Sequence, residues 1–327
     1  MKAIIHNRYG SPNGLKLTEV DTPSPKQDEV LVKVHAAAAN PLDWHYMRGL
    51  PFPVRLQSGL SKPKDPRLGA DLAGEVEAVG REVTEFQPGD AVFGNVGKGA
   101  FAEYVCARES AITQKPGNLS FEQAAATPVV GFTALQGLRD AGQIRSGQTV
   151  LINGASGGVG TFAVQLAQSY GTEVTGVSST RNVELVRSIG ADHVIDYTES
   201  DFAKPGQLYD LIYDAVGNRS VSELERALRP QGRCVIVGFT TMPRLIGHMV
   251  LGRLSSRREG KTIGLMGTAQ ANQEDLIRIK ELLEEGRVTP VIDRQFSLNE
   301  TADAIEYLES GRARGKVIIR VDPDGET

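Results

Sequence analysis

The sequence predicts an α/β protein in which a doubly wound parallel sheet is joined to a second, β-rich, barrel-like unit. Three observations carry this. Up to about residue 120, short apolar runs alternate with Gly and Pro turn signals. From Phe121 onward, strand-like runs alternate with helical periods, as βαβ units do. At one strand-to-helix junction stands a run of small residues, Asn153-Gly154-Ala155-Ser156-Gly157-Gly158-Val159-Gly160. The boundaries read as 1–122 with 287–327 for the β-rich domain and 123–286 for the parallel-sheet domain.

Taken in order, Glu29–Val34, Gly74–Gly80, Ala91–Gly94 and Phe101–Ala107 have strand patterns, with a Pro88-Gly89-Asp90 turn before the third. Residues 57–67 read as an exposed loop. Thr149–Ile152 is a buried strand, followed by a helix with Val159, Ala163, Leu166, Ala167 and Tyr170 on one face and Gly171 at its end. Then come a strand at Glu173–Val177, a helix from about Asn182 to Ile189, and strands at Ala191–Ile195 and Asp210–Tyr213. A helix near Val221–Leu228 and a strand at Arg233–Val237 follow. The helix from about Gln273 to Glu285 turns Leu276, Ile279, Leu282 and Leu283 inward, and Gly286 suits its C-terminal cap. Asn299 is expected to cap a short helix that Gly311 ends, and Lys316–Ile319 is the last strand.

Composition narrows the function. The 327 residues carry a formal charge of −4 and are 40% hydrophobic. A mildly acidic chain argues against binding nucleic acid or an anionic membrane surface. Cys106 and Cys234 lie far apart in strand-like stretches and belong to no Cys-x-x-Cys pair. That excludes a disulfide scaffold and a zinc knuckle and points to a reducing, cytoplasmic setting. The N-terminus is a short strand rather than a signal segment, and no apolar run reaches the roughly 18 residues a membrane helix needs.

The small-residue run follows a buried strand and opens an amphipathic helix, which is the context a dinucleotide fingerprint requires. Its pattern is Ala155-x-Gly157-x-x-Gly160. Small side chains let the backbone approach a pyrophosphate, and a helix N-terminus offers N–H groups and a positive dipole end. Ala155, Ser156, Gly157, Gly158, Val159 and Gly160 are therefore candidate cofactor residues on a Rossmann sheet. The next strand runs into Ser178-Ser179-Thr180-Arg181 without an acid that would hold a ribose hydroxyl and repel a 2′-phosphate. Ser178, Ser179 and Arg181 favour NADPH, Arg181 alternatively being a solvated helix-start residue, and Tyr197 is expected to flank the adenosine phosphate or to be a half-buried loop aromatic.

Gly69-Ala70-Asp71-Leu72-Ala73-Gly74, Phe86-x-Pro88-Gly89-Asp90-x-Val92, Gly131-Phe132-Thr133-Ala134, Asn153–Gly160, Tyr213-Asp214-Ala215-Val216-Gly217 and Arg314-Gly315-Lys316 occur in order. Together they resemble the medium-chain dehydrogenase/reductase superfamily, specifically its zinc-free quinone oxidoreductase branch, over nearly the whole chain. The resemblance implies a GroES-like catalytic domain built from both chain ends. It also implies a Rossmann domain between those ends, with the cofactor in the cleft. It implies a homodimer, for which Thr262–Met266 is the candidate edge strand.

Zinc-dependent relatives use an early Cys, a His-Glu pair and a later Cys or His. In alignment with them, Asn40 stands at the first position, Ala70-Asp71 replaces the pair, and a residue near Val129 stands at the third. Neighbours Asp43 and His45 do not supply the three protein ligands a catalytic zinc needs. Without a Lewis acid, hydride addition to a quinone or an α,β-unsaturated carbonyl is the easier chemistry, because the charge spreads over a conjugated system.

Candidate residues follow. Asn40 is expected to face the nicotinamide as a polar contact, the alternative being a backbone-binding loop residue. Tyr46 is a candidate donor to the developing enolate oxygen, the alternative being a packing aromatic. Asp43 is expected to fix the loop, and Trp44 and Phe52 to wall the pocket or pack the core. The resemblance places Thr133 and Val216 toward the nicotinamide and Gly238 and Phe239 at its carboxamide. Arg312, Arg314 and Lys316 are expected to approach the cofactor from the C-terminal segment, the alternative being solvated charges. Thr241–Lys261, with Arg253, Arg257, Arg258 and Lys261, reads as a solvated loop or as a helix over the cleft or the dimer interface. Two other functions remain on the sequence alone: 2-enoyl-thioester reduction, and a noncatalytic NADPH-binding sensor or structural protein.

Overall fold

A computed structural model describes residues 1–204, 206–255 and 259–321, the last three of the middle stretch by backbone alone. By internal contacts the chain forms two units: Met1–Val129 with Ala271–Glu284 and Pro290–Thr327, and Val130–Gln270 with Glu285–Thr289.

The first unit begins with β1 (Lys2–Ile5), β2 (Lys16–Glu19), β3 (Glu29–Ala39), α1 (Pro41–Arg48), α2 (Pro53–Ser58), β4 (Asp71–Val79), β5 (Ala91–Asn95), β6 (Tyr104–Arg108), β7 (Ile112–Gln114) and α3 (Phe121–Ala125). Strand β3 runs five residues past the predicted run. Alanine is a weak strand former, yet Ala36, Ala37 and Ala38 pair with neighbouring strands on both sides and Ala39 with β15, and those ladders hold the extension. The predicted exposed loop at 57–67 is partly ordered, since α2 ends at Ser58 and Ser58, Gly59 and Pro63 are buried.

The second unit holds α4 (Pro128–Gln136), β8 (Thr149–Asn153), α5 (Gly158–Ser169), β9 (Glu173–Ser178), α6 (Val183–Ser188), β10 (His193–Asp196), β11 (Tyr209–Asp214), α7 (Val221–Ala227), β12 (Leu228–Ile236), α8 (Met242–Ser255) and β13 (Thr262–Leu265). Its sheet is parallel, in the order β10-β9-β8-β11-β12-β13. Counted from β8 this is the 3-2-1-4-5-6 order of a doubly wound dinucleotide-binding sheet, with the switch point between β8 and β11. The segment after Thr241 is the helix α8. The side chain of Arg253 and residues Arg257 and Arg258 lie outside the described residues, while Lys261 Nζ donates to the Glu225 carbonyl at 3.2 Å.

The chain then returns to the first unit through α9 (Gln273–Glu284), β14 (Ile292–Ser297), α10 (Thr301–Glu309) and β15 (Lys316–Arg320). The sequence reading placed α9 in the parallel-sheet domain. In the structure it packs against β7, and Asn118 Nδ2 donates to the Leu283 carbonyl at 3.0 Å. Asn299 does not cap α10. Ser297 opens that end instead, its backbone N–H and Oγ both reaching the Glu300 carboxylate. The seven-stranded sheet runs β14-β15-β3-β4-β5-β7, with β6 on β3. It encloses a core of Val30, Val32, Val34, Leu72, Phe101 and Val317 with their neighbours. Among the described residues no helix is long and apolar enough to cross a membrane.

Candidate functional site

The turn after β8 is shaped by glycine sterics. Gly154 has φ +82°, which an L side chain rarely adopts. At Gly160 a Cβ would sit 2.0 Å from the Gly154 carbonyl oxygen, so the first turn of α5 lies directly on the loop. Gly157 is the N-cap, no side chain caps the end, and no acid stands in the first turn. The N–H groups that open α5 at Gly158, Val159 and Gly160 are thus left to an outside acceptor. A pyrophosphate fits this uncapped, positive, small-residue end. Ala155 is buried beneath β9, and Ser156 Oγ accepts from Asn182 Nδ2 at 2.9 Å, which ties the turn to the start of α6.

The other cofactor candidates divide by position. At the end of β9, Ser178 is buried and its carbonyl accepts the Tyr197 N–H at 3.0 Å, so Ser178, Ser179, Arg181 and Tyr197 belong to one rim. Arg181 is exposed, as is Tyr197 at 58%. The sequence reading missed Asp196, which the β10 register sets opposite Ser178. Hydrogen bonds from the Thr180 hydroxyl first, and from the Thr198 N–H and hydroxyl, hold its carboxyl below the usual carboxylate range. The acid therefore came from the third strand, and its hydrogen bonds go to threonines on the same rim.

At the ends of β11 and β12 two backbones cross closely. A Cβ on Gly217 would meet the Gly238 carbonyl at 2.1 Å, and one on Gly238 would meet the Ala215 carbonyl at 2.2 Å. Val216, Gly238 and Phe239 are brought together by this crossing. Beneath them the buried Asp214 accepts from Asn153 Nδ2 at 2.7 Å, the Val216 N–H at 3.1 Å and the Gly217 N–H at 2.9 Å. Asp214 was legible only as part of a motif, not as the residue that holds the turn. Thr133 lies on α4, where its carbonyl accepts the Tyr213 hydroxyl at 3.0 Å.

In the first unit two predicted contacts are corrected. Asn40 is 1% exposed and spends its side chain internally. Its Nδ2 donates to the Ala38 carbonyl at 3.1 Å and to Asp71 Oδ2 at 2.9 Å, and its Oδ1 accepts from Lys316 Nζ at 2.6 Å. Lys316, 3% exposed, lies 3.6 Å from Asp71 and does not reach outward. Both side chains are buried and bond to each other, and both lie on Asp71. Asp71 also accepts from Asn95 Nδ2 at 3.0 Å and the Val129 N–H at 3.1 Å. Asp43 fixes its loop, accepting the Asn40 N–H at 2.8 Å and the Gly69 N–H at 3.0 Å. Burial pushes the Asp43 carboxyl up to about 7 against those two donors. Burial likewise raises Asp71 and lowers Lys316, while their mutual attraction opposes both shifts.

Tyr46 is half-buried on α1, and the Lys98 ammonium lies 4.1 Å from its ring centroid. Burial, then the Asp43 charge, raises the Tyr46 phenol above its ordinary value. Trp44 packs on the core beside His45, whereas Phe52 is exposed at 60%. Arg314 is exposed, with its backbone N–H on Asp293 at 2.9 Å. Among the described residues no group of three His, Cys, Asp or Glu side chains is arranged to hold a metal ion.

A doubly wound sheet with an uncapped, small-residue turn at its switch point, in a chain whose other unit takes strands from both ends, is the architecture of a two-domain nucleotide-binding protein. Residues 26–117 match the alcohol dehydrogenase GroES-like domain family, and residues 189–319 match the family described as zinc-binding dehydrogenase. A 2-methylene-furan-3-one reductase of Solanum lycopersicum is 36% identical over 99% of this chain and 80% of that protein. A chloroplastic NADPH-dependent alkenal/one oxidoreductase of Arabidopsis thaliana is 33% identical over 98% of this chain and 79% of its own length. The quinone oxidoreductase structure from Coxiella burnetii superposes with a TM-score of 0.85 at 35% identity, covering 98% of this chain and 99% of that one. The chain belongs to the medium-chain dehydrogenase/reductase superfamily, among its quinone and enone oxidoreductases.

Proposed function

We infer that the protein is an oxidoreductase that uses NADPH to reduce a quinone or an α,β-unsaturated carbonyl. The observation that carries this is the uncapped, acid-free start of α5 at the sheet's switch point, in a chain 33% identical to an NADPH-dependent alkenal/one oxidoreductase. When bound, NADPH supplies a hydride from its nicotinamide to the electron-poor carbon of the acceptor.

The protein's part is to bind and orient. Ala155 to Gly160 hold the pyrophosphate with backbone N–H groups. Ser178, Ser179, Arg181 and Tyr197 hold the adenosine 2′-phosphate. Thr133, Val216, Gly238 and Phe239 flank the nicotinamide half. Tyr46 belongs to the acceptor site, and Arg314 is the remaining C-terminal cofactor contact. Asn40 and Lys316 act as positioning residues beneath it.

The reaction needs no zinc. Supporting this, the aligned ligand positions hold Asn40 and Ala70-Asp71, and the Asp71 carboxylate is already taken by Lys316, Asn40 and Asn95. A cytoplasmic homodimer that binds no nucleic acid completes the reading. Strand β13 forms the edge of the parallel sheet, beside exposed Ile246, Met249 and Val250 of α8.

The test is NADPH oxidation followed at 340 nm on chelator-treated protein, against quinones, enals and enones, with NADH as control. Turnover with NADPH and not NADH is expected. NADPH binding without turnover on any acceptor would move the protein to the noncatalytic class.

A further inference from the structure

Lys98 has no role in anything above. It sits between two positive-φ glycines, Gly97 and Gly99 (φ +74° and +105°), in the turn after β5. The residue is half-buried. Among the described residues its one side-chain partner is the face of Tyr46, 4.1 Å from the ring centroid.

The acids nearest to it are committed elsewhere. Asp65 receives Arg67 Nε at 2.9 Å and its terminal nitrogen at 2.8 Å. Asp43 is turned to the Asn40 and Gly69 N–H groups and held toward its neutral form by burial. Nearby His6 is buried, with Nδ1 2.6 Å from the Pro66 carbonyl, and burial lowers it. The charges of Asp65 and Asp43 attract the Lys98 ammonium, yet neither carboxylate is an ion-pair partner at contact distance, so partial withdrawal from water remains costly and an arriving oxyanion relieves that cost.

One buried network fixes both members of the pair. Asp43 closes the N-terminus of α1, which carries Tyr46. Asp71 receives Asn95 Nδ2 at 3.0 Å, and Asn95 Oδ1 accepts the Gly97 N–H at 3.1 Å, which anchors the turn that carries Lys98. The network joining Asp43, Asn40 and Asp71 therefore holds an aromatic seat and a cation together, which is preorganisation of the kind that stabilises developing charge.

We propose that the Lys98 ammonium, seated on the Tyr46 ring, is the oxyanion-binding group for the electron-poor acceptor. This rests on the hydride-transfer reading. As the hydride forms a C–H bond at the β-carbon of an enone, the C=C π pair shifts toward the carbonyl and its oxygen becomes an enolate. A quinone that takes the hydride on one carbonyl oxygen becomes a hydroquinone monoanion, with the charge on its other oxygen. The ammonium keeps its protons and neutralises that oxygen. A proton from solvent then completes the product, so the acceptor gains one hydride and one proton. Lys98 thereby does electrostatically what a zinc ion does in relatives that have one. Burial, which pushes the Lys98 ammonium below the ordinary lysine range, strengthens its attraction for such an anion.

The test pairs turnover with a readout that needs no hydride transfer. Lys98→Gln is expected to lower kcat/KM for the acceptor about 10²-fold, as loss of one oxyanion donor does, with the Kd for NADPH unchanged. Separately, 4-nitrophenol, a phenolate mimic of the enolate, is titrated at 400 nm with NADP⁺ present. At a fixed pH where less than about 5% of the free phenol is ionised, wild-type protein is expected to raise its phenolate fraction about tenfold, and Lys98→Gln to abolish that rise. Lys98→Gln with wild-type kcat/KM, or equal phenolate fractions on both proteins, overturns the proposal. Failure of the wild type to reduce any acceptor refutes the hydride reading instead, and the phenol titration still reports on Lys98.

Discussion

Lys316 Nζ donates to Asn40 Oδ1 at 2.6 Å across 276 positions of sequence. The contact joins the last strand of the chain to the residue that opens α1. With Asp71 3.6 Å from the same ammonium, it places a charged cluster inside the first unit. Removing one partner of a buried pair leaves the other charge uncompensated, which costs far more than a surface ion pair is worth. Lys316→Ala is therefore expected to lower unfolding stability by about 3–5 kcal/mol, read from urea unfolding. An unchanged midpoint would mean that the lysine is not paired in solution.

The same cluster makes stability depend on pH. Asp43 has a folded-state value of about 7, above the ordinary carboxylate range of the unfolded chain. A raised acid favours the folded state fully below the unfolded value and loses that contribution as pH rises toward the folded one. The difference in unfolding free energy between wild type and Asp43→Asn should thus fall between about pH 4 and 7, by up to ~1.4 kcal/mol per pH unit. Above that it should stay level. A difference flat across the whole window would contradict the burial of Asp43 as an isolated acid.

Gly160→Ala brings a Cβ within 2.0 Å of the Gly154 carbonyl. The loop must move away from α5, and the backbone cradle moves with it. A rise of at least about tenfold in the Kd for NADPH, equivalent to ~1.4 kcal/mol, is expected in a fluorescence titration. Wild-type affinity would show that the turn does not carry the pyrophosphate.

We propose that cofactor selection lies with the rim formed by Ser178, Ser179, Arg181 and Tyr197. A guanidinium–phosphate contact contributes about 1.5–3 kcal/mol. Arg181→Gln should weaken NADPH binding roughly 10–100-fold and leave NADH binding unchanged. Equal loss for both cofactors would assign Arg181 a structural role.

Tyr46→Phe keeps the ring beneath Lys98 and removes the phenol, whereas Tyr46→Leu removes the seat. If the ring matters through the cation it supports, the phenylalanine variant retains turnover within about threefold and the leucine variant does not. An equal drop in both, recorded as kcat at saturating acceptor, would point to the hydroxyl itself.

The parallel sheet was legible because its signals are local. The alternation of apolar strands with helical periods from Thr149 to Met266 needs no knowledge of distant contacts, and glycine sterics at residues 154–160 are written into consecutive residues. Where the sequence reading erred, distance was the reason. Helix α9 has an amphipathic pattern that would suit either unit, and contact with β7 and Asn118 decides which one it joins. Asn40 and Lys316 are polar residues at motif positions, and such residues ordinarily face ligand or solvent. Nothing in the neighbourhood of either in sequence announces that the other will satisfy it. Asp196 escaped notice because the argument for NADPH looks along the second strand, whereas the acid enters from the third strand through register.

The sequence by itself determined the alternation of strands and helices from Thr149 onward, the small-residue turn at residues 154–160 and the absence of an acid at the end of β9. Each is a property of residues adjacent in the chain, fixed by periodicity, side-chain size and charge. Only the tertiary structure decided that Asn40 and Lys316 are buried supports, that Asp43 and Asp71 share their network, and that Lys98 rests on Tyr46. Those facts depend on which strands pair and in what register, and burial sets the energy of a charge only once distant segments have closed over it.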